Sequence, residues 1–85
     1  MSERIRPVYD MPLVFWQSRH NLPWLYFALW AELLRTYDEG NEVSTWALLL
    51  KKAIIAAKAR DFAELERLIR QMAEVQNVPE MALID

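Results

Sequence analysis

Residues 22–37 read LPWLYFALWAELLRTY, and this stretch decides the fold of the chain. On a helix, at about 100° per residue, its apolar side chains form one continuous arc, while Glu32, Arg35 and Thr36 occupy only a narrow strip. A helix on the outside of a domain needs an apolar stripe of little more than ~100°, and this arc is about twice as wide. We therefore predict a long helix over about residues 22–38 with neighbouring structure on two sides. The arc contains Leu22, Tyr26, Phe27, Leu29, Trp30, Leu33, Leu34 and Tyr37, and Trp24 and Ala31 extend it.

Two further helices are predicted after this one. Gly40 provides a left-handed end for the first helix, and Ser44 is placed to cap a second over about residues 45–60. Asp61 and Glu64 have the spacing of a capping box, which starts a third helix over about residues 62–76. The link between the second and third helices is so short that they must form an αα-hairpin. The core face of the second helix is predicted to contain Trp46, Leu49, Leu50, Ala53, Ile54 and Ala57, and that of the third Phe62, Leu65, Leu68, Ile69, Met72 and Val75.

The two ends of the chain show no long helical period. Residues 1–11 are predicted to be an extended arm, followed by a short helix that Asp10 caps near Pro12. Residues 77–85 follow Asn77-Val78-Pro79 and are predicted to be a tail that packs back on the domain. The expected fold is an all-α bundle of three main helices with a short N-terminal helix, forming a single domain over residues 1–85.

Composition excludes several classes of protein. Hydrophobic residues make up 54% of the 85 residues, which is too many for an intrinsically disordered chain. One Gly and four Pro are too few turn residues for an all-β fold, and the lack of Cys excludes disulfides and thiolate metal sites. The net charge of −2 provides no global field that would attract nucleic acid or a membrane.

No motif in the chain indicates catalysis or metal binding. His20 is the only histidine, and no second histidine or acid has metal-ligand spacing to it, so a surface or inter-helix position is expected. Asp38, Glu39 and Glu42 surround Gly40 without the alternating oxygen ligands of a calcium loop. A single glycine cannot form a Gly-rich phosphate loop. The sequence therefore predicts no catalytic residue, no metal and no cofactor.

Targeting and membrane signals are also missing. The basic start of the chain is not followed by the apolar segment of a signal peptide. The longest apolar run, residues 22–31, is too short for a bilayer span, which needs ~20 apolar residues. We expect a soluble protein of the cytoplasm.

Aromatic residues give the clearest indication of function. Nine of the ten lie between Tyr9 and Trp46, and the chain has four Trp. Trp and Tyr are enriched at binding hot spots. The favoured prediction is a non-enzymatic protein-binding module, acting as an adaptor, inhibitor or regulator. Self-association is also expected, with a two-fold dimer as the favoured state, because the apolar arc of residues 22–37 is so wide.

A second apolar stripe on the helix over residues 45–60 is the predicted partner site. Leu48 and Ile55 are seven residues apart and lie nearly opposite the core face. The predicted partner-binding residues are Leu48, Ile55 and Ala59, with the flanking Lys51 and Lys52, and Trp24 on the preceding helix. A lysine-rimmed stripe suits an amphipathic helix with acidic flanks or a second copy, whose loop 38–42 is acidic. The alternative is that the N-terminal arm or the C-terminal tail covers the stripe.

Nucleic-acid binding is the alternative function. Lys51, Lys52, Lys58 and Arg60 lie in a stretch with no acid between Val43 and Asp61. A helix-turn-helix reader would use residues 62–76 as its recognition helix. That helix offers Arg67, Arg70 and Gln71, but also Glu64, Glu66 and Glu74, which would repel phosphates.

Overall fold

The computed structural model describes the backbone of residues 7–84 and the side chains of residues 11–84. Over these residues the chain is helical, with no β-strand, so the predicted all-α bundle is confirmed. The described helices are α1 (Pro7–Gln17), α2 (Leu22–Asp38), α3 (Thr45–Lys58) and α4 (Phe62–Val75), followed by a 3₁₀ turn at Glu80–Ala82. α3 packs against α2 on one side and α4 on the other, and α1 packs mainly against α4.

The long helices begin and end where local chemistry requires. The Ser44 hydroxyl accepts a hydrogen bond from the Ala47 N–H at 3.1 Å, and the Asp61 carboxylate accepts one from the Glu64 N–H at 3.3 Å. These side chains satisfy N–H groups that the first turn of a helix leaves unpaired. Both predicted caps are therefore present, and α3 and α4 form the predicted αα-hairpin.

All three long helices end in a left-handed residue. Gly40 follows α2 with φ of 78°, and its N–H bonds to the Tyr37 carbonyl at 2.9 Å, while Asn41 N–H reaches the Thr36 carbonyl at 3.0 Å. This is the bond pattern of a Schellman motif. α3 and α4 end with the same pattern, but with Arg60 (φ 58°) and Asn77 (φ 60°) at the left-handed position.

The N-terminal helix differs from its prediction. α1 begins at Pro7, so residues 7–11 are helical rather than extended, and Asp10 lies within the helix instead of capping it. Proline suits the first helical position because its missing N–H has no partner there. Pro12 then falls inside α1, and its fully buried ring offsets the lost backbone bond. Residues 1–6 of the predicted arm lie outside the described residues.

The core lies on the two buried sides of α3, against α2 on one side and α4 on the other, and it continues between α1 and α4. Every residue predicted for the core face of α3 is buried. Phe62 and Val75, at the two ends of α4, were predicted to be core and are instead 45% and 43% exposed, because the neighbouring helices do not reach them. The side chains with almost no exposed surface include Phe15, Leu25, Leu29, Leu50, Leu65, Leu68, Ile69 and Met72.

The C-terminal tail packs against α1 and α4. Val78 and Leu83 are buried, and the Trp16 indole N–H donates to the Ile84 carbonyl at 2.9 Å. The guanidinium groups of Arg19 and Arg70 lie over the Trp16 ring, 3.8 Å and 4.7 Å from its centroid. These contacts place the tail away from α3.

Candidate functional site

The polar strip of α2 faces the interior. Glu32 and Thr36 are only 4% and 2% exposed, although the sequence pattern alone favours a solvent-facing strip. The Thr36 hydroxyl donates to the Glu32 carbonyl at 2.8 Å, which satisfies it within the helix. The buried residues of α2 are Leu25, Ala28, Leu29, Glu32, Leu33 and Thr36.

Specific partners make this burial possible. The Trp46 indole N–H donates to Glu32 Oε2 at 2.9 Å, and Arg35 Nε donates to Glu32 Oε1 at 3.0 Å. Arg35 Nη2 also lies 2.5 Å from Glu32 Oε2, and Arg35 Nη1 lies 2.5 Å from Glu39 Oε2. Hydrogen bonding to Glu32, more than the contact with Glu39, raises the pKa of the Arg35 guanidinium above its ordinary value. A buried carboxylate is tolerated when it is paired and hydrogen-bonded in this way.

The apolar side of α2 therefore faces outward. We call Trp24, Phe27, Trp30, Ala31, Leu34 and Tyr37 the α2 outer face; its five large side chains are between 41% and 63% exposed. Trp24 and Phe27 lie ring against ring, with centroids 5.8 Å apart. Trp30 meets Tyr26 edge to face at 6.4 Å. α2 has the two neighbouring helices that the sequence predicts, α3 and α1. The described residues of both helices pack against the inner side of α2, and they leave its outer face exposed.

The predicted partner stripe on α3 is also exposed. Leu48 and Ile55 are 50% and 68% exposed, and Ala59, the C-cap residue that follows the last residue of α3, is also exposed. We call Leu48, Ile55 and Ala59 the α3 stripe. Because the tail is anchored on Trp16, it does not cover this stripe; residues 1–6 lie outside the described part of the chain.

Lys51 connects the two apolar surfaces. Lys51 Nζ lies 5.4 Å from the centroid of the Tyr37 ring, so it bridges the α3 stripe and the α2 outer face. Lys52, on the other side of the stripe, is exposed. Trp24 lies near the opposite end of α2 from Tyr37. The structure therefore groups five of the six predicted residues on one side of α3 and places Trp24 on the adjoining helix.

The hydrophobic pattern did not single out most of the α2 outer face as partner-binding residues. It placed Phe27, Trp30, Leu34 and Tyr37 in the wide arc that was expected to pack against neighbours and to mediate self-association, and it named only Trp24 as a partner-binding residue. The signal that could have identified this face is the polar strip of Glu32 and Thr36, four residues apart. This strip is too narrow to be the whole solvent-exposed face of a helix, which indicates that part of the apolar arc is exposed.

A separate cleft lies beside Trp16. It has a volume of about 550 Å³ and is lined by Gln17, Arg19, His20, Glu66 and Ile84. Arg19 Nε pairs with Glu66 Oε2 at 3.2 Å, and Arg19 Nη1 donates to the Trp16 carbonyl at 2.7 Å. Arg19 thus connects the end of α1 to α4. His20 is exposed at the edge of the cleft, as expected for a surface histidine.

The described residues form neither a metal site nor a membrane-spanning helix. Among the described side chains, those of residues 11–84, no three His, Asp or Glu residues converge on a possible metal position. Each helix within residues 7–84 is too short or too polar to span a lipid bilayer.

Comparison of the chain with protein-family models, curated proteins and solved structures finds no match.

Proposed function

We propose that this chain is a non-enzymatic protein-binding module of the cytoplasm, acting as an adaptor, inhibitor or regulator through the α2 outer face and the α3 stripe. One observation carries the proposal: α2 buries Glu32 and Thr36 and exposes its aromatic side. Monomeric soluble proteins rarely expose contiguous large apolar patches, and those that do occur mark interaction sites. Trp and Tyr side chains on such a surface often contribute a large share of the binding free energy of a protein–protein interface.

The α3 stripe suits a partner helix with acidic flanks. Leu48 and Ile55 are two turns apart, which matches the spacing of anchor positions on an amphipathic helix. Lys51 and Lys52 flank the stripe, and among the described residues neither forms an ion pair. Their charges are thus available to a partner. In such a complex, the apolar side chains of the stripe would form the centre of the interface, and the lysines would form its charged rim.

Affinity capture from the native host tests the proposal. The baits are the wild-type chain, the double variant Leu48→Asp/Ile55→Asp, and the control Met81→Asp, which makes the same kind of change at an exposed tail residue. We expect a discrete protein that the wild type and the control retain and that the double variant loses. Identical captured proteins for all three baits would contradict the proposal.

Nucleic-acid binding receives less support from the contacts of α4. Arg67 pairs with Glu64 at 2.5 Å, and Arg70 stacks on Trp16 and lies 3.5 Å from Glu80. Two of the three side chains that a recognition helix would offer are thus engaged within the chain. Salt-dependent binding to DNA or RNA that Lys51→Gln, Lys52→Gln and Lys58→Gln together abolish would favour this alternative instead.

A further inference from the structure

The α2 outer face has the spacing of a helix–helix seam. Trp24, Phe27, Ala31 and Leu34 of this face, together with Asp38 one turn beyond it, follow one another at intervals of three, four, three and four residues. This is the repeat by which two helices pack along their length. Ala31, the smallest of these residues, lies at the midpoint, where it would let a second helix approach closely. The face is therefore shaped for one long helix rather than for a loop.

The two ends of the seam carry opposite charges. At the start of α2, Leu22, Pro23 and Tyr26 share a shallow pocket with Lys58 and Arg60 of the α3 end. At the other end, α2 finishes with Asp38, while the carboxylate of the following Glu39 is paired with Arg35. Neither Lys58 nor Asp38 forms an ion pair with any residue in the described part of the chain.

We infer that the occupant of the α2 outer face is a second copy of this chain, packed antiparallel about a two-fold axis near Ala31. An antiparallel arrangement brings Asp38 of each copy towards Lys58 of the other, and the symmetry forms this contact twice. A parallel arrangement would put like charges together at both ends. The inference rests on the proposed function, because it takes the outer face to be an interface. It leaves the α3 stripe to the other protein.

The exposed area indicates how tight this dimer is. A large aromatic side chain has roughly 150–250 Å² of surface to bury, and about half remains exposed on each of the five large side chains. Two copies would thus bury on the order of 1,000 Å², near the lower limit of a specific interface. We expect a dimer that dissociates in the micromolar range.

Sedimentation velocity on the full chain, from low to high micromolar concentration, tests the inference. The wild type should pass from monomer to dimer over this range. Phe27→Asp should remain monomeric, because it places a carboxylate in the seam at a residue that is 63% exposed and contributes little to the core. Circular dichroism checks that each variant keeps its helices.

Charge reversal tests the antiparallel arrangement independently of Phe27. Asp38→Lys places a lysine at both ends of a copy, and Lys58→Asp places an aspartate at both ends. Each variant alone should dimerise about tenfold more weakly, because two attractive contacts become repulsive. An equimolar mixture should restore association as a heterodimer with two attractive contacts. Glu74→Lys, the same change as Asp38→Lys at an exposed residue of α4, should dimerise like the wild type.

Two kinds of result would overturn the inference, one on the dimer itself and one on its arrangement. A wild-type chain that stays monomeric at every concentration excludes the second copy. A dimer that Asp38→Lys leaves unchanged, or a mixture that shows no gain over the single variants, excludes the antiparallel arrangement. Neither result alters the capture experiment on Leu48 and Ile55, so failure of this inference and failure of the proposed function are distinguishable.

Discussion

Trp46 donates its indole N–H to the buried carboxylate of Glu32, 2.9 Å away, and this contact joins α3 to the polar strip of α2. Arg35 completes the environment of the same carboxylate. Among the described residues, every buried side-chain nitrogen and oxygen has a hydrogen-bond partner. Because these contacts favour one rotation of α2 about its axis, they also determine that Trp24, Phe27 and Leu34 face outward.

Trp46→Phe should destabilise the fold by about 1–3 kcal/mol, because Glu32 loses a hydrogen bond and stays buried. The phenyl ring can retain part of the stacking with Phe15, whose centroid lies 6.5 Å from that of Trp46. Urea denaturation of the two proteins measures the difference. The control is Trp30→Phe, since Trp30 is 41% exposed and makes no hydrogen bond to Glu32. Equal losses for both variants would show that the indole N–H is unimportant.

The orientation of α2 could not be predicted from hydrophobic periodicity. The pattern ranks residues by polarity and so assigns Glu32 and Thr36 to solvent. Glu32 is nevertheless buried, because Trp46, fourteen residues further along the chain, and Arg35 donate hydrogen bonds to its carboxylate. A tertiary contact of this kind has no periodic signature. The width of the apolar arc predicted neighbours on two sides of α2. α3 and α1 both pack against this helix, and a partner on its outer face stays a prediction.

Elements specified by local chemistry were predicted well. Ser44 and Asp61 cap the helices assigned to them, and the ends of α3 and α4 agree with prediction to within two residues. The start of α1 was wrong, since Pro12 was taken as a first-turn proline and lies inside the helix. Leu48 and Ile55 are exposed as expected, because they align on the side of α3 that is opposite its well-defined core face.

Arg60→Gly should stabilise the fold by about 0.5–1 kcal/mol. Arg60 has a φ of 58°, a left-handed conformation that costs an ordinary L-residue roughly 1–2 kcal/mol and glycine almost nothing. Thermal unfolding measures the change. Ala59→Gly is the matched control: Ala59 is the preceding residue with φ of −83°, where glycine brings no relief and lowers stability. A lower unfolding temperature for Arg60→Gly would contradict the prediction.

The Glu64–Arg67 pair on α4 should make a small pH-dependent contribution. Hydrogen bonding to Arg67 lowers the pKa of Glu64 below its ordinary value, and the charge of Lys52 acts in the same direction. A carboxyl whose pKa is lower in the folded chain stabilises the fold above its unfolded pKa, and this contribution is lost as pH falls through the folded pKa. Glu64→Gln should therefore be less stable than the wild type at neutral pH. The two proteins should converge in acid, as urea titrations at a series of pH values would show; a constant difference would exclude this linkage.

The orientation of α2 can be tested by comparing Leu29→Ala with Leu34→Ala, which make the same substitution on opposite sides of this helix. Leu29 is fully buried, so its truncation leaves a cavity and should cost about 2–5 kcal/mol. Leu34 is 58% exposed, and its truncation should cost the monomer at most about 1 kcal/mol. Denaturation at low micromolar concentration, where the monomer predominates, measures both values. At high concentration Leu34→Ala should fall further behind the wild type, because only the wild type gains stability from association through the α2 outer face. A concentration-independent cost as large for Leu34→Ala as for Leu29→Ala would mean that Leu34 is core and that α2 faces the other way.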